Sequence, residues 1–312
     1  MNNIPAFVEE DFMTARSNFI SGIAYELSEI RQFDGRIIKY TKTWKDVDKE
    51  LNQDEDFGLQ IKKGRNAWES KVAAIAGSEQ DPLKKASLIH TMIKDWFVWN
   101  DNYGKYSESG LKKAFEARKG NVGDINLSLI ATLQEAGLPA SPVILATREA
   151  GLPNQLYPII SEFNYVVAYL ELGGEKFLLD ATEPLLPFGV LPERCLNGKG
   201  RLVGKKEEES AWVDIMPREK QKRQISLNLR LDGKKFEGDM TVRSFGYEAF
   251  DKRSAIRSAG SVEKYKEKLE MNSEDFTILK YEIENLDDLT QPLNEKFLVE
   301  TSLDSSDPNT LY

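Results

Sequence analysis

Gly120-Asn121-Val122-Gly123-Asp124-Ile125-Asn126-Leu127-Ser128-Leu129-Ile130-Ala131-Thr132-Leu133 is the stretch of this 312-residue chain that decides its fold. A helix starts near Asn121, and its apolar side chains cover most of the circumference. A helix apolar nearly all round belongs inside a domain. Gly137 marks its end. The segments downstream of Gly137 supply the covering. Pro142–Thr147 reads as a strand. Tyr165–Leu172 and Glu175–Asp180, joined by Gly173-Gly174, read as a β-hairpin. Buried helix, strand, then hairpin is an α+β order.

Upstream, Asp81-Pro82 is an N-cap followed by proline at the first helical position, opening a helix to about Phe97. Ala86, Ile89, Ile93, Trp96 and Phe97 share its apolar arc, with His90 at the edge and Lys94 on the polar side. A second helix is expected over Ser109–Arg118, ending at Gly120. Thr43 and Asp46 resemble a capping box, so another helix starts near Trp44. Residues 1–42 read as a strand segment, the end of a preceding β-domain: Ile23, Tyr25 and Leu27 alternate, and Phe33-Asp34-Gly35-Arg36 makes a turn.

Downstream of the hairpin, residues 205–223 are charged and irregular and read equally as a linker or a long surface loop. After them the period becomes two. Ile225, Leu227, Leu229 and Leu231 alternate, Asp232-Gly233 turns the chain, and Met240 and Val242 return. A helix at about 261–270 and strands at 277–283 and 296–301 complete a β-rich C-terminal domain, 224–312, of sandwich type. Residues 305–309 look like a linker.

Composition narrows the function. The chain has 40% apolar and 30% charged residues and a net charge of −9, which disfavours nucleic acid as a partner. No run is long enough for membrane insertion. One cysteine, Cys195, and one histidine, His90, exclude an intrachain disulfide and a Cys/His zinc site. Acidic runs such as Glu207–Glu209 lack the spacing of a calcium loop. The sequence calls for no metal and no cofactor.

Three separated motifs carry a resemblance: Gly120-Asn121-Val122-Gly123-Asp124, Phe163-Asn164-Tyr165-Val166-Val167, and Leu179-Asp180-Ala181-Thr182. In order, spacing and local structure they resemble the transglutaminase-like superfamily of papain-type thiol enzymes. That pattern is Gly-x-Cys-x-Asp at a buried helix, then a strand bearing His, then a strand ending in Asp. The resemblance implies a transglutaminase-like core over 43–204. It also implies a triad in which a thiolate at the helix N-terminus is activated by His and oriented by Asp. Carried onto this chain, the nucleophile position is Val122, the base position is Tyr165, and only Asp180 keeps the residue type. The stretch after Asp180 is similar to bacterial multidomain envelope proteins. The strand-like start and linker-like end fit a piece of such a chain, with flanking domains as partners and a periplasmic or secreted location.

The residues left at the vestigial cleft are Asn164, Tyr165 and Asp180. Trp99, Tyr103 and Tyr106 stand in a polar, aromatic segment suited to a peptide strand or a sugar ring. His90 and Cys195 read as packed core residues, and Asp124 and Asn126 as structural hydrogen-bonders. Two functions stay open. One is a non-catalytic module binding an extended peptide or glycan in the cleft, or a scaffold. The other is a hydrolase or transferase using carboxylates, Asp180 with Asp124 or Glu183.

Overall fold

The computed structural model describes residues 7–11, 13–21, 27, 29–39, 42–233, 235–271 and 276–302. Ile23, Tyr25 and residues 305–309 lie outside them, while Leu27 belongs to no strand. The fold is α+β, and the chain divides into two compact units. One is Met1–Pro184 with Phe188–Pro217. The other is Leu185–Pro187 with Arg218–Tyr312.

In the first unit a 3₁₀ turn, Arg16–Asn18, precedes a two-stranded ribbon, β1 (Glu29–Arg31) and β2 (Ile37–Lys39), turned at Gly35 with φ of 86°. Helix α1 (Trp44–Gln53) starts on the Thr43/Asp46 capping box expected from the sequence. Helix α2 (Gly58–Ser78) comes next and is not legible in the sequence pattern. Its buried side is Ile61, Gly64, Trp68 and Val72, so glycine occupies one packing position. A Cβ on Gly64 would lie 2.6 Å from Leu111 Cδ1, which shows how closely the elements approach there. Helix α3 (Pro82–Trp96) opens with the Asp81 carboxylate accepting from the Lys84 N–H at 2.9 Å.

Strand β3 (Val98–Trp99), helix α4 (Leu111–Ala117) and strand β4 (Lys119–Gly120) lead to helix α5 (Val122–Glu135). The end of α4 differs from expectation. Arg118, not Gly120, takes the left-handed conformation with φ of 53°, and Gly120 pairs in parallel with Trp99. A Cβ on Gly120 would sit 2.5 Å from the Asp124 Cβ, so glycine is required by the start of the next helix. Helix α5 is buried from Val122 through Leu133. Asn121 and Asp124 form a reciprocal capping box at its start.

A five-stranded antiparallel sheet, in the order β7-β6-β5-β8-β9, packs on this helix through β5 and β6, while α2, α3 and α4 also pack against it. Its strands are β5 (Ala140–Leu145), β6 (Tyr165–Leu172), β7 (Glu175–Leu179), β8 (Lys199–Leu202) and β9 (Ala211–Asp214). The first six residues of β6 are all buried, as a central strand covered on both faces requires. Gly173 and Gly174 both have positive φ, the two-residue turn that matches strand twist. Strand β9 corrects one expectation, because part of the charged stretch 205–223 joins the sheet and the boundary between units falls after Pro217. Asp48 of α1 pairs with Arg201 of β8, and the Arg201 guanidinium lies over the Trp44 ring at 5.4 Å.

In the second unit, strands β10 (Lys222–Asp232) and β11 (Lys235–Phe245) precede helices α6 (Gly246–Ala259) and α7 (Val262–Met271). Strands β12 (Thr277–Glu284) and β13 (Leu293–Ser302) complete one antiparallel sheet, ordered β10-β11-β13-β12. This is not a sandwich. Val242, Phe297 and Val299 form its apolar face together with Leu269 of α7, so helix rather than a second sheet supplies cover. Arg253 of α6 is buried and donates to the carbonyls of Asn285, Leu286, Asp288 and Gln291, which holds the β12–β13 loop in shape.

Two glycines separate close packing from open space. A Cβ on Gly123 would meet the Tyr106 carbonyl oxygen at 2.0 Å, whereas nothing lies within 4 Å of one on Gly77. Gly123→Ala is expected to destabilise by about 3 kcal/mol or more. Gly77→Ala is expected to stabilise by about 0.5–1 kcal/mol, both read from urea denaturation.

Candidate functional site

The site is organised by the first turns of α5 and the ends of β6 and β7. Val122 is wholly buried, and its N–H donates to the Asn102 carbonyl at 3.2 Å. That bond occupies a backbone donor of the kind that stabilises an oxyanion. One turn on, and so on the same side of the helix, Asn126 donates to Val166 O at 2.9 Å and to Asp180 Oδ2 at 2.8 Å. Its carbonyl oxygen accepts from the Ala181 N–H at 2.9 Å. One side chain thus joins the helix to both strands that carry the other motif positions.

Tyr165 is packed inside the unit rather than exposed. It is 0% exposed, and its hydroxyl donates to Asp180 Oδ2 at 2.8 Å. The other oxygen, Asp180 Oδ1, accepts from the Thr182 N–H at 2.8 Å and the Thr182 hydroxyl at 2.5 Å. Arg194 closes the network from outside. Nη2 donates to Thr182 Oγ1 at 2.7 Å and to the Tyr165 oxygen at 3.2 Å, and Nη1 donates to Glu183 at 2.6 Å. Burial and the Asp180 charge hold the Tyr165 phenol well above its ordinary pKa, so it stays a neutral donor. Burial works against the Arg194 charge, but Tyr165, Asp180 and Glu183 together raise its pKa.

The single cysteine and the single histidine both lie at this network. Cys195 sits beside Arg194 in the 3₁₀ turn Glu193–Cys195 and is buried. Burial, reinforced by Asp180, pushes its thiol well above the usual range, the opposite of what a nucleophilic thiolate needs. His90 is core rather than core edge, at 1% exposure. Its Nε2 lies 2.7 Å from the Asp180 carbonyl, which makes Nε2 the protonated nitrogen. Burial and the neighbouring Lys94 lower its pKa to about 4. Lys94 is also buried, contrary to its expected place on the polar side, and donates to the Pro184 carbonyl at 3.1 Å.

The aromatic residues divide. Trp99 and Tyr103 stack at 5.7 Å, Tyr103 lies 5.8 Å from the Tyr165 ring, and the Arg194 guanidinium covers Trp99 at 4.4 Å. Tyr103 is exposed, so this group forms the outer rim of the site. Tyr106 is not part of it. It packs on Phe57 and lines a separate cleft of about 250 Å³ with Val47, Leu51, Glu50 and Asp54, where burial and the two carboxylates raise its pKa to about 12. Asn164 exchanges its amide with Thr147, accepting from its N–H and donating to its hydroxyl, each at 2.9 Å.

The carboxylates named for alternative chemistry each have structural partners. Asp180 accepts four hydrogen bonds. Glu183 pairs with Arg194, and Asp124 caps α5 while accepting from the Ser107 hydroxyl at 2.5 Å. Among the described residues, no three His, Cys, Asp or Glu side chains converge on a metal-sized site. Thr182 and Arg194 are site residues that the sequence reading did not name as candidates. Thr182 closes the Asp180 motif and is readable there, but nothing local marks Arg194.

Tyr165→Phe leaves Asp180, Thr182 and Arg194 each short of a partner and is expected to cost about 1–3 kcal/mol in chemical denaturation. His90 is depressed in the folded state, so the unfolded chain binds the extra proton between about pH 6.5 and about pH 4. Stability therefore falls as pH drops through that window, by about 3 kcal/mol from this group. His90→Gln, which keeps a donor to the Asp180 carbonyl, is expected to flatten that part of the curve in melts across the window.

No family model matches the chain, and no curated protein matches it. Among solved structures, a crystal structure of a "putative protease" from Parabacteroides distasonis is similar, with a TM-score of 0.43 and 9% identity. The likeness covers 91% of this chain and 58% of that one, so this chain spans under two thirds of that protein's length. At that TM-score the likeness defines neither fold nor activity.

Proposed function

We propose that the first unit is a transglutaminase-like module without thiol catalysis, acting as a scaffold. Contact with an extended peptide or a glycan falls to its Trp99–Tyr103 rim. The observation that carries this reading is the buried Tyr165 phenol seated on Asp180, at the position where the resemblance places the histidine base. A phenol held neutral in a closed network cannot take a proton from a nucleophile, and Val122 offers no nucleophilic atom. The rim keeps the features that bind ligands without chemistry: two stacked aromatic faces and a guanidinium across one of them. The carboxylate alternative has less support, since Asp180, Asp124 and Glu183 are each engaged by protein donors.

The purified chain is expected to show no turnover of amide, ester or glycoside substrates above buffer. Turnover that vanishes in Asp180→Asn, with the melting curve unchanged, would overturn the reading in favour of carboxylate chemistry. Titration of tryptophan fluorescence with extended peptides and oligosaccharides is expected to give a saturable change that Trp99→Ala removes.

A further inference from the structure

The sheet of the second unit has two edges, and they are built differently. The β12 edge carries a register shift between Ile278 and Lys280, exposed charges at Lys280, Glu282 and Glu284, and α7 packed beside it. Those features discourage another strand from adding. The β10 edge has no register shift, and its charges, Lys222, Arg223, Arg230 and Asp232, stand toward its two ends, where Arg223 pairs with Glu248 of α6. It pairs with β11 without interruption over eleven positions, Lys222↔Phe245 to Asp232↔Lys235. Its centre, Gln224-Ile225-Ser226-Leu227-Asn228-Leu229, has no charge, no proline and no glycine.

The pattern of β10 and its burial disagree. Ile225, Leu227, Leu229 and Leu231 share the face on which Met240, Val242 and Phe297 are packed under Leu269. Yet Ile225, Leu227 and Leu231 are 58%, 55% and 58% exposed. Three exposed aliphatic side chains on one face, beside an open row of backbone donors and acceptors, are a surface prepared for another strand.

We infer that β10 pairs antiparallel with β10 of a second copy, joining two four-stranded sheets into one of eight strands. The occupant is chosen by the strand's own charge order. When β10 meets itself over its full length, Lys222 faces Asp232 of the partner and Asp232 faces the partner's Lys222. Gln224 faces the partner's Arg230, so no like charges oppose. Leu227 faces its own copy at the two-fold axis, and Ile225 faces the partner's Leu229, so the apolar faces of both sheets run on continuously. Slipping two residues one way sets Lys222 against the partner's Arg230, and slipping the other way loses both Lys–Asp pairs. An isologous contact of this kind closes as a dimer and leaves β10 no edge for further addition.

Sedimentation velocity and light scattering on the whole chain are expected to show a concentration-dependent dimer. Leu227→Arg sets two guanidinium groups against each other at the axis and is expected to give a monomer with unchanged far-ultraviolet circular dichroism, since position 227 is exposed. Lys222→Asp and Asp232→Lys are each expected to weaken the dimer about fivefold or more, and the double exchange to restore it. A wild-type chain that stays monomeric at high concentration overturns the inference and assigns the edge to a strand of different sequence. A dimer that Leu227→Arg leaves intact also overturns it.

Discussion

Asn126 is one buried amide, and the first unit depends on where its three bonds go. It holds α5 against β6 through the Val166 carbonyl and against the end of β7 through Asp180 and Ala181. A helix surrounded by aliphatic contacts could rotate or slide among similar packings at little cost, because dispersion is not directional. A fully satisfied amide in a low-dielectric interior allows one position, since any shift leaves a buried donor or acceptor unpaired. The capping box at Asn121 and Asp124 sets the start of the same helix, and the tight approach of Gly123 to Tyr106 sets its depth.

Around that anchor lies a polar cluster whose hydrogen bonds are structural. A thiol-enzyme site needs a thiolate, a base near neutral pKa and open space for substrate. Here the aliphatic Val122 stands at the helix start, the Tyr165 phenol is buried against Asp180, and Arg194 donates to it. His90 and Cys195 lie against the same Asp180 segment, but each is held neutral by burial. The histidine bonds a backbone carbonyl rather than a carboxylate. Having the right residue types near one another does not make a site reactive when solvation and hydrogen bonding favour their uncharged forms.

The second unit shows the complementary situation. Two of its interior polar side chains are well provided for, Arg253 spread over four carbonyls and the Tyr281 hydroxyl on Glu295 at 2.8 Å. Its apolar face is not. Helix α7 covers the β11–β13–β12 side and leaves Ile225, Leu227 and Leu231 of β10 in solvent. A strand that bears the entropic cost of order while exposing its aliphatic face is a local conflict, and such conflicts mark surfaces with work to do.

The features legible in the residues alone were local ones. The buried α5, the Gly173-Gly174 hairpin, and the caps at Thr43, Asp81 and Asn121 follow from period, turn chemistry and capping, which act within a few residues. That Val122 offers no nucleophilic atom and that Tyr165 is a poor base at neutral pH was equally legible, since it needs only the identities at positions 122 and 165. Helix α2 escaped because its buried side includes Gly64, and β9 escaped because its strand lies in a charged stretch. Folding of the whole domain alone decided that Tyr165 is buried against Asp180, that Arg194 reaches it from twenty-nine residues away, that Tyr106 lines a separate cleft, and that Ile225, Leu227 and Leu231 of β10 are left exposed. Each of these depends on which distant groups meet, and contact between residues far apart in the chain is set by packing the whole domain, not by the pattern of any one segment.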